Sequence, residues 1–167
     1  MRNLGWAIVM AAAAVSGCKC GNRSPSPDAG VADAGAVASA PLTPPVRMFR
    51  ESDAAYHQGR PDEAIAKAQQ LVQEQPQNAL AHNLIGRSFV AKYQQSQDPA
   101  HAQGARDAFQ AALTADPAFW PALLNLAELE QQSGHPKEAA KLYARVLELQ
   151  PDHPSRAQFE ALIEAAR

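Results

Sequence analysis

The sequence lacks the motifs of the common catalytic and metal-binding sites. It contains no Gly-rich phosphate loop, no His-Glu-x-x-His and no Gly-x-Ser-x-Gly. The five histidines are scattered, and no two of them stand at the i, i+4 spacing that would chelate a metal on a helix. We therefore expect no enzyme activity, no cofactor and no metal site, and we interpret the histidines as structural or solvent-exposed.

Blocks of one charge and long apolar runs are also missing. The 15 basic and 17 acidic residues are scattered singly, so the chain has no basic stripe of the kind that binds nucleic acid. The apolar run from Trp6 to Val15 has ten residues, whereas a helix that crosses a bilayer needs about 20. We therefore expect no nucleic-acid partner and no transmembrane helix.

What the sequence does contain is an internal repeat. Ala64, Ala105 and Ala139 each precede a proline by twelve residues, and each begins an apolar face with i, i+4 and i+7 spacing. This spacing predicts amphipathic helices. The remaining members of the three faces are Ala68 and Leu71, Phe109 and Ala112, and Tyr143 and Val146.

Each of these helices is preceded by a second helical segment. A small residue recurs there (Ser52, Gly86 and Ala127), and a small side chain lets two helix backbones approach closely without overpacking. Gly59 and Gly134 stand between the two segments, where a left-handed turn would end the first helix. Each unit is therefore predicted to be a helical hairpin that ends in proline.

This order of small residue, glycine turn, alanine, apolar face and proline resembles the tetratricopeptide repeat, whose unit is about 34 residues. Pro117 and Pro151 are 34 residues apart, but Pro76 and Pro117 are 41 apart. The seven additional residues amount to about two helical turns. We predict one additional turn on each helix of the middle repeat, with Asp98 as the N-cap of its second helix.

The resemblance implies an all-α fold, a short right-handed α-solenoid of about three repeats. The predicted domain spans 45–167, with repeats at about 45–78, 79–119 and 120–153 and a C-terminal capping helix at 154–167. The face of this last helix, Phe159, Leu162 and Ile163, would cover the open end of the array.

Members of this family mostly bind partners in a concave groove that the first helix of each repeat lines. Carrying the repeat register over predicts a mixed surface suited to an extended peptide or a partner helix, although the same residues could equally form a plain solvated face. The residues are Phe49, Asp53, Tyr56, His57, Asn83, Arg87, Val90, Ala91, Leu124, Asn125, Glu128 and Gln131. The lysine–asparagine arrangement by which chaperone-binding members hold a C-terminal carboxylate is missing, because Asp53 and Glu128 occupy the groove.

Two large aromatic residues, Phe119 and Trp120, lie at the junction of the second and third repeats. Side chains of this size are expected to be buried between the helices that meet there. If they are exposed instead, they are the hot-spot candidates of the chain.

Residues 1–17 read as a signal peptide, with Arg2 before the apolar run. The sequence Val15-Ser16-Gly17-Cys18 resembles the bacterial lipobox, which implies that Cys18 is diacylated on sulfur and becomes the new N-terminus. The alternative is an ordinary secretory signal with a chance cysteine. Removal of Arg2 would leave 14 basic and 17 acidic residues, a net charge of −3.

The segment that follows, 18–44, is rich in Pro, Ala, Gly and Ser and is predicted to be a disordered tether. Lys19 stands where the family's inner-membrane retention signal has aspartate, which favours the outer membrane. Cys20 has no intramolecular partner if Cys18 is lipidated; the Cys-x-Cys pair lacks further metal ligands, and Cys20 could cross-link two chains.

These features favour a non-catalytic adaptor in the bacterial cell envelope, anchored by lipid and facing the periplasm. It would bind another protein through the groove, for example during assembly of a pilus, secretin or outer-membrane system. The alternative is a structural scaffold that self-associates through Phe119 and Trp120 or through the open N-terminal end of the array.

Overall fold

The computed structural model describes residues 43–167. Within this range the chain forms seven α-helices and no strand: α1 Pro44–His57, α2 Pro61–Glu74, α3 Ala79–Ser96, α4 Pro99–Ala115, α5 Trp120–Gln132, α6 Pro136–Leu149 and α7 Arg156–Ala165. The predicted signal peptide, the lipidation site Cys18 and nearly all of the predicted tether lie outside the described residues.

The helices form two layers. Each helix packs against its neighbours in the chain, and α1, α3 and α5 also contact one another in sequence. No such contact joins α2 to α4 or α4 to α6 within residues 43–167. Helices α1, α3 and α5 therefore form the inner layer of a curved stack of three hairpins, and α7 closes the stack against α6. The all-α solenoid expected from the sequence is confirmed.

The core follows the predicted apolar faces. Ala64, Ala105 and Ala139, together with the other six residues of the three faces, are all buried. Ser52 and Ala127 are completely buried as well, and the Ser52 hydroxyl donates to the Ala64 carbonyl at 2.7 Å across the hairpin. The recurring small residues are thus buried in the contact between the two helices of a hairpin.

The hairpin turns show why glycine recurs. Gly59 and Gly134 have φ of +70° and +81°, in the left-handed region that residues with a Cβ avoid. The amide of the residue after each glycine donates back to Ala55 or Glu130, six-to-one bonds that cap the preceding helix. The equivalent position of the middle hairpin is Gln97, at φ +56°.

The middle hairpin is longer, as predicted. Helices α3 and α4 have 18 and 17 residues, whereas α1 and α2 have 14 each. Asp98 caps α4 by accepting from the Ala100 amide, which confirms the predicted N-cap. The extra seven residues are therefore absorbed as one turn on each helix, and the stack continues without a break.

The capping helix packs through the predicted face. Phe159 is 4% exposed and stacks on Tyr143 with ring centroids 4.8 Å apart. Leu162 and Ile163 are half-buried against the same cluster. This contact removes the apolar end of the third hairpin from water, as a terminal cap must.

Candidate protein-binding groove

The inner layer carries a groove where the C-terminal halves of α1, α3 and α5 meet. Its cavity has a volume of about 160 Å³. The lining residues are Tyr56, Arg87, Val90, Ala91, Gln94, Phe109, Asn125, Glu128, Leu129 and Gln132. Since these side chains come from three successive hairpins and from the core beneath them, only the stacked array creates the site.

Arg87 organises one wall of the groove. Its guanidinium carbon lies 4.3 Å above the centre of the Tyr56 ring, a cation–π contact. One guanidinium nitrogen is 4.0 Å from the Asp53 carboxylate, which also lies 3.6 Å from His57 Nε2. Arg87 therefore already has an anionic neighbour within the protein, and the flat guanidinium and ring form a preorganised platform.

A pair of amides joins the second and third hairpins below this platform. Asn125 Nδ2 donates to Asn83 Oδ1 at 2.9 Å, across 42 positions of sequence. Asn83 is only 6% exposed, so the prediction that it faces a partner is wrong. The reason is its position on α3, where α5 packs directly over it. Asn83 positions Asn125, and Asn125 lines the groove.

Glu128 supplies the opposite wall and differs from Asp53 in having no cation nearby. Among residues 43–167 no basic group lies within 4 Å of its carboxylate. The side chain is exposed, but the concave walls around it limit its hydration. This desolvation raises the pKa of Glu128. Burial also raises the pKa of the Tyr143 hydroxyl, and the charge of Glu128 adds to that effect.

The predicted residues divide into two groups. Tyr56, Arg87, Val90, Ala91, Asn125 and Glu128 line the cavity, and Asp53 supports Arg87. His57 and Gln131 are exposed outside it, and Leu124 is half-buried against the core of the third hairpin, beside Tyr143 and Val146. The sequence reading missed the amides Gln94 and Gln132; the additional turn of α3 carries Gln94 to the groove, which the predicted helix length could have indicated.

A second, apolar surface lies at the other end of the inner layer. Among the described residues, Val46 and Leu80 are the exposed large hydrophobics, at 45% and 51%. They line a cleft of about 320 Å³ with Phe49. An adjoining cleft of about 580 Å³ runs from Leu80 to Phe119. We call this surface, Val46, Phe49, Leu80 and Phe119, the apolar end.

The two aromatics at the hairpin junction are half-buried. Phe119 packs against the buried cluster around Phe109 and Ala112 and lines the apolar end with its remaining surface. Trp120 points toward the capping region, where it meets the His153 ring edge-to-face at 5.7 Å. Neither is the fully buried wedge expected between the second and third repeats, because the four-residue turn lets each ring cover one side of the joint.

A polar cluster that the sequence reading missed joins α4 to the α5–α6 turn. Glu130 is 8% exposed; it accepts from Arg106 Nε at 2.6 Å and lies 2.6 Å from His135 Nδ1. Burial by itself raises the pKa of Glu130, but the two hydrogen bonds and the charge of Arg106 outweigh it, so the net pKa lies below the ordinary value. The cluster holds the second and third hairpins together.

Two further properties bear on function. No helix within residues 43–167 is both long and apolar enough to cross a bilayer. In the same part of the chain, no three His, Cys, Asp or Glu side chains come together in a way that could hold a metal ion.

Stacked hairpins with a preorganised groove on the inner layer define the chain as a helical-repeat scaffold. It belongs to the tetratricopeptide-repeat family: models of this repeat match residues 49–92 and 100–163. A search of curated proteins found no match.

Solved structures share the fold. The Arabidopsis OM64 tetratricopeptide domain superposes with a TM-score of 0.63 at 18% identity, over 74% of this chain and 96% of that one. The Yersinia enterocolitica type III secretion chaperone SycD, in complex with a peptide of the translocator YopD, gives 0.62 at 16% identity, over 72% and 90%. The first such domain of Spaghetti (RPAP3), bound to an HSP90 peptide, gives 0.62 at 18%, over 72% and 91%.

Proposed function

We propose that this protein is a non-catalytic adaptor that holds a segment of another protein in the groove. The observation that carries the proposal is the convergence of Arg87, Asn125 and Glu128 with Tyr56 from three hairpins. A preorganised aromatic–guanidinium platform loses little conformational entropy on binding. Two of the structures with the same fold hold a peptide of another protein, which supports a peptide segment as the partner here.

A capture experiment tests the groove. The full chain is used as bait in envelope extracts and compared with a Tyr56→Ala/Arg87→Ala double variant, which removes the platform. Lys141 and Gln70 are exposed on outer-layer helices, so a Gln70→Ala/Lys141→Ala double variant is a matched control. We expect the groove variant to lose partners that the control retains. Identical partner sets from both, with unchanged thermal melting, would reject the groove.

We further propose that the adaptor is anchored by lipid at Cys18 and works in the bacterial envelope, on the outer membrane facing the periplasm. The lipobox-like sequence before Cys18 and the apolar run upstream support this. Two or three acyl chains are enough for stable anchoring. Metabolic labelling with a fatty-acid analogue should mark the wild type and Cys20→Ser but not Cys18→Ser. Unlabelled wild type would end the lipoprotein proposal, and fractionation would locate the labelled protein.

The apolar end favours a second candidate, a scaffold that self-associates. Exposed apolar patches rimmed by polar residues commonly mark protein interfaces, and Leu80 lines both clefts. Light scattering of the full chain in detergent should then show dimers that Leu80→Glu disrupts and that Gln77→Glu, on the rim of the same cleft, leaves intact. A strict monomer at high concentration would remove this candidate.

A further inference from the structure

The groove contains one charge that the protein does not balance. Arg87 has Asp53 as an anionic neighbour at 4.0 Å and covers the Tyr56 ring. Glu128 has no cation within 4 Å among residues 43–167, although it lies in a concave wall that limits its hydration. A carboxylate that is partly shielded from water gains more from an incoming cation than a fully hydrated one does, because less of its hydration remains to be lost on binding.

The remaining groups at the site suit a peptide main chain. Gln94, Asn125 and Gln132 each present an amide, which can both donate and accept, beside the cavity. Asn125 is fixed by its bond to Asn83, so its orientation is set before a ligand arrives. Amide side chains of this kind hydrogen-bond an extended backbone without selecting for sequence, and the selection is left to Glu128.

We propose that the groove recognises a peptide segment carrying a lysine or arginine, whose cationic side chain pairs with Glu128 while Arg87 and Tyr56 form a flat wall beside it. This inference rests on the proposed function and assigns the chemical class of the partner. Charge complementarity carries it: the charges of Asp53, Arg87 and Glu128 sum to −1, and among residues 43–167 the Glu128 carboxylate has no cation within 4 Å.

Pools of nonapeptides test the assignment. Their flanks are randomised without charged residues, and the central residue is Lys, Met or Glu; Met matches lysine in length without its charge. The full chain selects from the pools, and mass spectrometry counts the bound peptides. We expect Lys-centred peptides to be enriched about fivefold over Met-centred ones, as expected for a charge-assisted hydrogen bond in a partly exposed site. The enrichment should fall with added salt.

Variants connect the preference to one side chain. Glu128→Gln should abolish the enrichment, whereas Glu138→Gln, an exposed glutamate in the first turn of α6, should preserve it. Glu128→Lys should shift the preference to Glu-centred peptides. Because Glu128 is exposed, these changes should leave thermal melting unchanged, and a melting curve checks this.

Each outcome decides the assignment. Equal binding of Lys- and Met-centred peptides, or a preference that survives Glu128→Gln, overturns the basic partner but leaves the adaptor function standing. Peptide binding that appears only after Lys19→Gln and Arg23→Gln would identify the chain's own N-terminal segment as the occupant of the groove. The proposal that the groove holds a segment of a separate protein would then be wrong. If no peptide binds under any of these conditions, both the inference and the proposed function fail.

Discussion

The middle hairpin and the two outer hairpins follow one sequence pattern, yet they differ at three points. Helices α3 and α4 are a turn longer, the glycine of the hairpin turn is replaced by Gln97, and the small residue is Gly86 where the outer hairpins have Ser52 and Ala127. The third difference is one of side-chain size: Gly86, which has no side chain, stands against Phe109, the largest fully buried residue of the described range.

This comparison shows how a repeat tolerates variation. The side chains at the i+4 position of the second-helix face, Ala68, Phe109 and Tyr143, differ greatly in volume. In the middle hairpin the large Phe109 ring is accommodated by Gly86 on the other helix, since cores keep total volume more strictly than residue identity. A variant that breaks this complementarity in the middle hairpin should therefore have the largest effect on stability.

Gly86→Ala should destabilise the fold by about 2 kcal/mol. An added Cβ would lie 2.4 Å from the Phe109 ring, so overpacking should cost about 3 kcal/mol, the upper end of its usual range. The gain of about 1 kcal/mol in helix propensity leaves a net loss of about 2 kcal/mol. Urea denaturation measures the difference. Gly104→Ala is the control: the nearest atoms to its Cβ would belong to the half-buried Phe89 ring, at 3.1 Å, and this ring can shift slightly, so the variant should be neutral or stabilising. Equal losses for both variants would contradict the size argument.

Glu130→Gln should destabilise the fold by about 1.5 kcal/mol at neutral pH, because it weakens bonds to Arg106 and His135. The folded-state pKa of Glu130 is lowered, so its contribution is present above the unfolded pKa and is lost as pH falls through the folded one. The gap between wild type and variant should therefore close as pH drops below about 4. A gap that stays constant with pH would show that the charge is irrelevant at this joint.

Gln97→Gly should stabilise the fold by about 1 kcal/mol, since it relieves a left-handed residue with a Cβ. The reciprocal change, Gly134→Gln, should destabilise it by a similar amount, because φ there is +81° and a side chain strains that conformation. No neighbouring atom lies within 4 Å of the added Cβ, so backbone strain is the only cost and no clash adds to it. Thermal melting of both variants measures the pair. If Gln97→Gly has no effect, the side-chain bonds from Gln97 to the carbonyls of Tyr93 and Gln94 offset the strain.

Ser52→Ala should have the smallest effect, a loss of about 0.5 kcal/mol. It removes the bond that links α1 to Ala64 of α2, and the better helix propensity of alanine returns part of the loss. Ser88→Ala is a matched control, since that buried hydroxyl bonds only to Leu84 of its own helix and should cost nothing. Chemical denaturation compares the two, and equal effects would show that the bond between helices adds no stability.

The fold was predictable because its signals are local and repeated. The i, i+4, i+7 faces at Ala64, Ala105 and Ala139 predicted the second helix of each hairpin, and Gly59 and Gly134, which are left-handed in the structure, predicted the turns. The seven-residue excess, divided between α3 and α4, was readable from proline spacing together with the cap Asp98. Each of these signals acts within about one hairpin, where chain connectivity leaves few alternatives.

The candidate site was predictable only as a set of positions on the inner helices. The stacking of one hairpin on the next decided the rest. It buried Asn83 against Asn125, and it placed Phe49 in the apolar end, away from Arg87. The Glu130 cluster could not be recognised from the periodicity of the sequence, because Arg106 lies on α4 and His135 lies in the turn between α5 and α6.

The sequence by itself thus determined the hairpins, their lengths and their buried faces, because helix periodicity and turn chemistry are properties of short segments. Only the tertiary structure decided which polar side chains meet. Pairs such as Arg87 with Asp53, or Asn125 with Asn83, join different hairpins. Their geometry depends on the angle and spacing at which whole helices pack, and no local pattern encodes those quantities.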